Sequence, residues 1–333
     1  MLGETFQKTF SPEVKFFLRS FHYLQIACQS TMSKSKRPSS VAPWARTLWI
    51  VPAFLFTVGL FSFIGSKVLG LNPADLHFQK SPFQEAVDSL FNLMGMVIVV
   101  GLYRRYLDRE SFRSMGLYPK GFARESMAGI GLGALLIGGG FTVLVVVNQI
   151  QWRGFNWDGQ NLLLGLCTFV LVACSEELFL RGYILNNLMK SMNPMVALLV
   201  SSVFFSLLHI LNDNFSWLAF LNILLAGILI GQPYLYTKRL WLPIGLHLGW
   251  NFFQGPIFGF NVSGHVTSSL FTQSRTADTI WNGGPFGFEA SVLSLVFQTM
   301  AIFGLWWYFR NKGKISSEEI VPAPVCQGSC DQT

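Results

Sequence analysis

Charge is what this sequence has least of. Asp, Glu, Lys and Arg make up only 12% of its 333 residues, about half the ~25% usual in soluble domains, which points to lipid as the solvent of most of the chain. Cysteine is scarce as well, with five in all. Cys167 and Cys174 stand seven apart on one expected helix and read as packing residues. Cys326 and Cys330 form a CxxxC in a polar tail, a weak metal or redox signal, and no disulfide framework follows. Three further patterns are absent: the period-two alternation of a β-barrel, the apolar core of a signal peptide at the N-terminus, and an internal repeat.

What is present is apolar sequence in long runs. Apolar residues account for 51% of the chain and the mean hydropathy is +0.43. About 20 residues of helix cross the hydrocarbon core, and eight segments qualify, near 47–71, 86–103, 127–149, 161–189, 195–211, 216–236, 241–260 and 290–310. The expected fold class is therefore all-α: a polytopic membrane protein with about eight transmembrane helices around a polar intramembrane cavity. In LGALLIGGG, small residues permit close helix approach. The stretch 261–289, rich in Gly, Ser and Thr, is a long loop that reads equally as a lid, a substrate rim or a plain connector.

The net charge of +7 does not signal nucleic acid, because Lys and Arg cluster between the apolar runs, where they set orientation. The basic N-terminus, Arg104, Arg105, Arg109, Arg113, Lys120, Arg124, Lys190, Lys238, Arg239, Arg310, Lys312 and Lys314 all fall on one side of an eight-span arrangement. The opposite side holds Lys80, Arg153 and Arg275, besides Lys67 near the end of the first span. Both termini are thus expected in the cytoplasm. Residues 1–45 read as a polar, flexible arm with a basic patch at Lys34, Lys36 and Arg37, within which Met32 offers an alternative start. Residues 46–311 form the transmembrane domain, and 312–333 a cytoplasmic tail.

The fourth segment carries charges that a lipid-facing helix would not tolerate: LCTFVLVACSEELFLRGYIL. Burying Glu176, Glu177 and Arg181 costs several kcal/mol unless they are paired or hydrated. Glu177 and Arg181 are four apart and can pair on one face, a structural reading. Glu176, rotated by about 100°, is left without that partner and is the better candidate for chemistry. His209 sits in the apolar fifth segment. If segments four and five form an antiparallel hairpin turning near Met192 to Pro194, Glu176 and His209 lie at matching depth, each roughly 25 Å from the turn. A carboxylate and an imidazole so placed can share a water, as general-base activation requires. In the seventh segment, His247 and Asn251 share a face that must look inward, while Pro243 and Gly245 loosen its start. By counting, His247 lies nearer its cytoplasmic turn than His209 does, so either the fourth–fifth hairpin projects beyond the bilayer or the seventh helix begins deep.

These residues resemble the CPBP intramembrane proteases, the group containing the type II CAAX prenyl endopeptidases and bacteriocin-processing or immunity relatives. The family pattern is EExxxR, FxxxH and HxxxN on separate membrane helices. Here it reads Glu176-Glu177-xxx-Arg181, Phe205-xxx-His209 and His247-xxx-Asn251, and the flanks SEELFLRGY and LPIGLHLGWN are family-like. The resemblance covers roughly residues 115–310. It implies a helical fold with a conical polar cavity and proteolysis of a membrane-associated peptide or protein by an activated water. Glu176 and His209 would activate the water, and His247 and Asn251 would stabilise the oxyanion. Glu177 and Arg181 would hold the site in shape, with Phe205 packing against His209. A zinc alternative would use Glu176, His209 and His247 as ligands, but HExxH is absent, and the metal-free glutamate mechanism is preferred. A non-proteolytic scaffold or immunity protein keeping the polar cluster for folding is the alternative function, and a transporter lacks the expected broken helices or repeat halves. The family and compact architecture suggest a bacterial inner membrane.

Overall fold

A computed structural model describes residues 41–72 and 79–311. Most of the N-terminal arm, with Met32, Lys34, Lys36 and Arg37, lies outside the described residues, as does the tail from residue 312, with Lys312, Lys314, Cys326 and Cys330.

Eight principal helices run through the described residues: α1 (Pro43–Val68), α2 (Pro82–Leu102), α3 (Phe122–Val146), α4 (Gly159–Glu177), α5 (Pro194–Leu208), α6 (Trp217–Thr237), α7 (Trp241–Phe252) and α8 (Val292–Asn311). They match the eight apolar segments in order. Six stretches are long and apolar enough to cross a membrane: α1, α2 with its extension to Asp108, α3, α4 with its extension to Leu188, α6 and α8. The protein is an integral membrane protein, with large apolar side chains such as Phe56, Leu135, Met300 and Phe303 exposed on its outer surface. The remaining two helices, α5 and α7, are short. Of α7's 12 residues, eight are buried (Pro243, Ile244, Gly245, Leu246, His247, Gly249, Trp250 and Asn251), as expected of a helix enclosed by protein on all sides.

The first five helices start one to five residues before their apolar windows, because their first turns are made of capping chemistry, while α6, α7 and α8 start within two residues of theirs. Pro43, Pro82 and Pro194 each occupy the first helical position, where a missing N–H costs nothing. Ser81 and Gln84 form a reciprocal capping box ahead of α2, and Asp158 caps α4 by accepting from Asn161 N–H.

Glycine sets the central packing. A Cβ on Gly129 or Gly133 of α3 would come within 2.5 Å of α7 backbone nitrogens, and one on Gly249 of α7 would come as close to Ile130 O. Only bare backbone permits this approach. The α3 run LGALLIGGG also contributes Gly140, whose missing side chain leaves room for the Phe288 ring. On the other side, Gly227 and Gly231 of α6 accommodate Ser202 and Leu198 of α5.

Two features depart from the sequence expectation. Ile150–Phe155 (β1) and Phe271–Arg275 (β2) pair as an antiparallel two-stranded strap, with a bulge at Trp152/Gly154. The loop 261–289 is thus tied by its own strand to the chain before α4, and is more than a plain connector. The fifth segment, expected to 211, ends at Leu208 with His209 as its C-cap. A turn through Asn212 and Asn214, the latter at φ 59°, is what the polar sequence there favours.

At the other end of the molecule a polar network joins α1, α2 and the end of the α4 extension. Asp108 accepts from Arg46 at 2.9 Å and Arg104 at 3.1 Å, while Glu110 accepts from Arg104 and Lys190, both at 2.7 Å. Asn187 also reaches Asp108.

Candidate active site

The fourth helix does not continue as a regular α-helix past the two glutamates. From Leu178 to Leu185 it widens into a π-helical stretch, a local irregularity that recurs at functional sites. The whole segment Gly159–Leu188 has 30 residues, about 45 Å at 1.5 Å per residue against a hydrocarbon core of ~30 Å. It is long enough to project from a bilayer, one of the two geometries that the unequal depths of His209 and His247 allowed.

Glu177 is fully buried. Its Oε1 accepts from Arg181 Nη1 at 2.7 Å, the expected i,i+4 pair. The same oxygen lies 2.8 Å from His247 Nδ1. A carboxylate only accepts, so Nδ1 carries the proton and the ring is fixed with Nε2 turned the other way. There Nε2 lies 3.8 Å from Glu176 Oε2. Glu177 therefore touches two of the three motifs, a contact that helical spacing within α4 could not reveal.

Arg181 is clamped in turn. Nη2 donates to Gly227 O at 2.9 Å, and the guanidinium stands 5.0 Å over the Phe205 ring, within cation–π range. Phe205 also meets the rings of His209 at 4.9 Å and His247 at 6.0 Å, both edge-on. One aromatic side chain thus separates the two imidazoles and caps the buried arginine. His209 Nδ1 donates to Phe205 O at 2.8 Å; a neutral imidazole held this way presents Nε2 as an acceptor.

Glu176, His209, His247 and Asn251 all line one cavity of about 660 Å³. Glu176 is partly exposed within it, its side chain 31% accessible, against zero for Glu177. The two neighbouring carboxylates are sorted by environment as their 100° offset suggested.

Sequence reasoning passed over other residues on this wall. Asp88 of α2 faces the cavity with Lys80 at 2.6 Å and Ser62 of α1 at 2.9 Å, and Glu85 lies beside them. The rule that flagged Glu176, that an ionisable residue inside a span needs a reason, applied equally to Asp88. From the loop after α7 come His265, Ser263 and Glu289, with Glu289 accepting from Ser263 N–H and Oγ; nothing in a loop sequence signals that. Cys174 is half-buried, while Cys167 is exposed.

Whether the site suits a metal is a question of donor geometry. Among the described residues no group of three or more His, Cys, Asp or Glu side chains is placed to hold an ion, so Glu176, His209 and His247 do not form such a group.

Residues 158–253 match the family model described as "Type II CAAX prenyl endopeptidase Rce1-like". The matched stretch contains all three motifs and agrees with the resemblance drawn from them, which supports a protease-like function in a membrane. No curated protein and no solved structure matches the chain.

Proposed function

We propose, taking residues 158–253 as an Rce1-like CAAX-protease-family domain, that the protein is an intramembrane endopeptidase that hydrolyses a peptide bond of a membrane-associated peptide or protein. The observation that carries this reading is the contrast at Glu176–Glu177. Glu177 is fully buried, and its Oε1 is engaged by both Arg181 and His247. Glu176 lines the cavity with its side chain partly exposed there and makes no ion pair with Arg181. Stability accounts for the first carboxylate and offers nothing for the second.

In the proposed mechanism a water sits between Glu176 and His209 Nε2. Glu176 accepts its proton as the oxygen attacks the carbonyl carbon, and the carbonyl electron pair moves to the oxygen. His247, held by Glu177 at Nδ1 and donating from Nε2 as an imidazolium, and Asn251, one turn further along α7, stabilise that oxyanion, the step at which preorganised donors contribute most. Collapse re-forms the carbonyl and breaks the C–N bond, and Glu176 delivers the proton to the departing amine. Phe205 and Arg181 act as positioning residues. The proposed steps use no metal. We place the protein in a bacterial inner membrane with both termini cytoplasmic, in line with the distribution of Lys and Arg.

A non-proteolytic scaffold would keep Glu177 and Arg181 but has no use for a cavity-facing Glu176. The test compares membrane proteomes of cells carrying wild type, Glu176→Ala or His209→Ala. Both variants are expected to insert and fold yet let one or more membrane-associated proteins accumulate uncut. Wild-type processing in both would remove the catalytic assignment. Stoichiometric zinc in the purified protein, with activity lost on chelation, would overturn the metal-free mechanism.

A further inference from the structure

Four acidic residues are buried among the described residues: Asp108, Glu125, Glu177 and Glu289. Three of them meet an arginine. Asp108 pairs with Arg46 and Arg104, Glu125 with Arg239, and Glu177 with Arg181. Glu289, 8% exposed, forms no ion pair with any described residue. Taking a carboxylate out of water without a counter-charge is strongly unfavourable, so the exception requires a reason.

The carboxylate is held firmly, but through one oxygen. Its Oε2 accepts from Ser263 N–H at 2.6 Å and from Ser263 Oγ at 2.8 Å, two neutral donors that bring no positive charge. Ser263 stands at φ 49°, a left-handed conformation that costs a non-glycine residue energy and recurs at ligand clamps. Asn212 Nδ2 fixes it there by donating to its carbonyl at 3.0 Å. Oε1 of Glu289 has no hydrogen-bond partner among the described residues and is not shut off from accessible space, as Glu177 Oε2 is. Because Glu289 lines the 660 Å³ cavity, Oε1 is reached from there. The wall offers it no cation. Among the described residues that line the cavity, Glu85, Asp88, Glu176 and Glu289 are acidic and Lys80 is the one Lys or Arg. Lys80 is already bonded to Asp88 at 2.6 Å, so a counter-charge for Glu289 has to arrive with what the cavity binds.

We infer that Glu289 is the acidic end of a specificity subsite, in which its free Oε1 accepts from a cationic group of the substrate, an ammonium or guanidinium. This rests on the protease reading and deepens it, because it names the substrate class: a membrane-associated peptide with a positive charge near the cut site. A wholly apolar substrate would displace water from around Glu289 and leave the carboxylate uncompensated. A cation instead supplies the partner that the other three buried acids already have, in a charge-assisted hydrogen bond. Glu289 and Ser263 both lie outside the stretch 158–253 that matches the family model, so the subsite belongs to this chain beyond the matched domain.

The test uses the full chain in lipid nanodiscs and a panel of apolar fluorogenic peptides. Each position carries in turn Lys or norleucine, which has nearly the same chain without the charge. The N-terminus is acetylated or free, which separates a side-chain cation from an α-amino group. In wild type, Lys at one position, or the free N-terminus, is expected to raise kcat/KM about tenfold or more over the uncharged peptide, the scale of one hydrogen bond to a charged group. Glu289→Gln keeps an oxygen that can accept from Ser263. It should retain the melting temperature and the turnover of uncharged peptides while losing the advantage of the cationic one, a change of selectivity that a structural role would not produce. If Glu289→Gln does not fold, Glu289→Asp, which withdraws the charge by about one methylene, should shift the preference from Lys to the longer Arg. Glu176-dependent cleavage indifferent to the positive charge, a preference that survives Glu289→Gln, or an unchanged Lys and Arg ranking in Glu289→Asp would overturn this inference and leave the protease reading standing. No Glu176-dependent cleavage of any peptide would overturn both.

Discussion

Glu176 and Glu177 are adjacent, chemically identical and differently employed. Glu177 holds a buried arginine and a buried histidine on one oxygen, so its removal leaves Arg181 as an unpaired charge. Breaking one side of such a pair costs about 3–5 kcal/mol, and Glu177→Ala is expected to lower the melting temperature of the detergent-solubilised protein sharply. Unchanged melting would show that the triad does not support the fold. The role of Glu177 toward His247 was not legible in the sequence. Periodicity relates residues on one helix, and this contact joins residues 70 positions apart. What could be read was the separation of Glu176 from the Glu177–Arg181 face, because that follows from 3.6 residues per turn alone.

At the scale of elements, the site depends on how closely α3 and α7 approach, since α7 carries His247 and Asn251. Gly133 meets the α7 backbone directly, whereas Gly131 on the same helix has open space around it. Gly133→Val should force the helices apart at an overpacking cost of about 1–3 kcal/mol or more, with activity lost alongside stability. Gly131→Ala should be neutral or slightly stabilising, through helix propensity. Thermal melts of the two variants in parallel check this, and equal behaviour would contradict the packing account. The glycine-rich composition of α3 announced a close approach but not which glycines make it. The strap of β1 and β2 was harder to read. Its strands have six and five residues, lie more than 100 residues apart, and sit among segments whose apolar runs dominate any pattern. The eight helices themselves were legible because lipid imposes long apolar runs, and their offsets came from capping residues that hydropathy ignores.

For the whole molecule, the polar network beside residues 104–114 ties the end of the α4 extension to α1 and α2. Burial disfavours the ionised Glu110 carboxylate, but the Lys190 hydrogen bond and the charges of Arg104 and Lys190 more than offset this, and its carboxyl is held below the ordinary glutamate range. A group whose folded pKa is depressed contributes stability above its unfolded pKa, and that stability is lost as pH falls through the folded value. Acidification below the ordinary glutamate range should therefore lower the melting temperature of wild type more than that of Glu110→Gln. Parallel pH–melting curves would contradict the assignment. The network involves residues expected on the cytoplasmic side, and the β-strap lies with the loops expected opposite. A cysteine placed at Thr279 should accordingly be labelled by an impermeant maleimide from the non-cytoplasmic side of intact cells; labelling only after permeabilisation would invert the proposed orientation.

The central claim is that Glu176 performs chemistry while Glu177 maintains shape. It is tested most directly by Glu176→Gln in purified, nanodisc-embedded protein, measuring turnover of a peptide that wild type cleaves and the melting temperature of the same sample. The account predicts turnover reduced to background with the melting temperature unchanged. Retained turnover would contradict it, and so would a loss of turnover accompanied by loss of the fold.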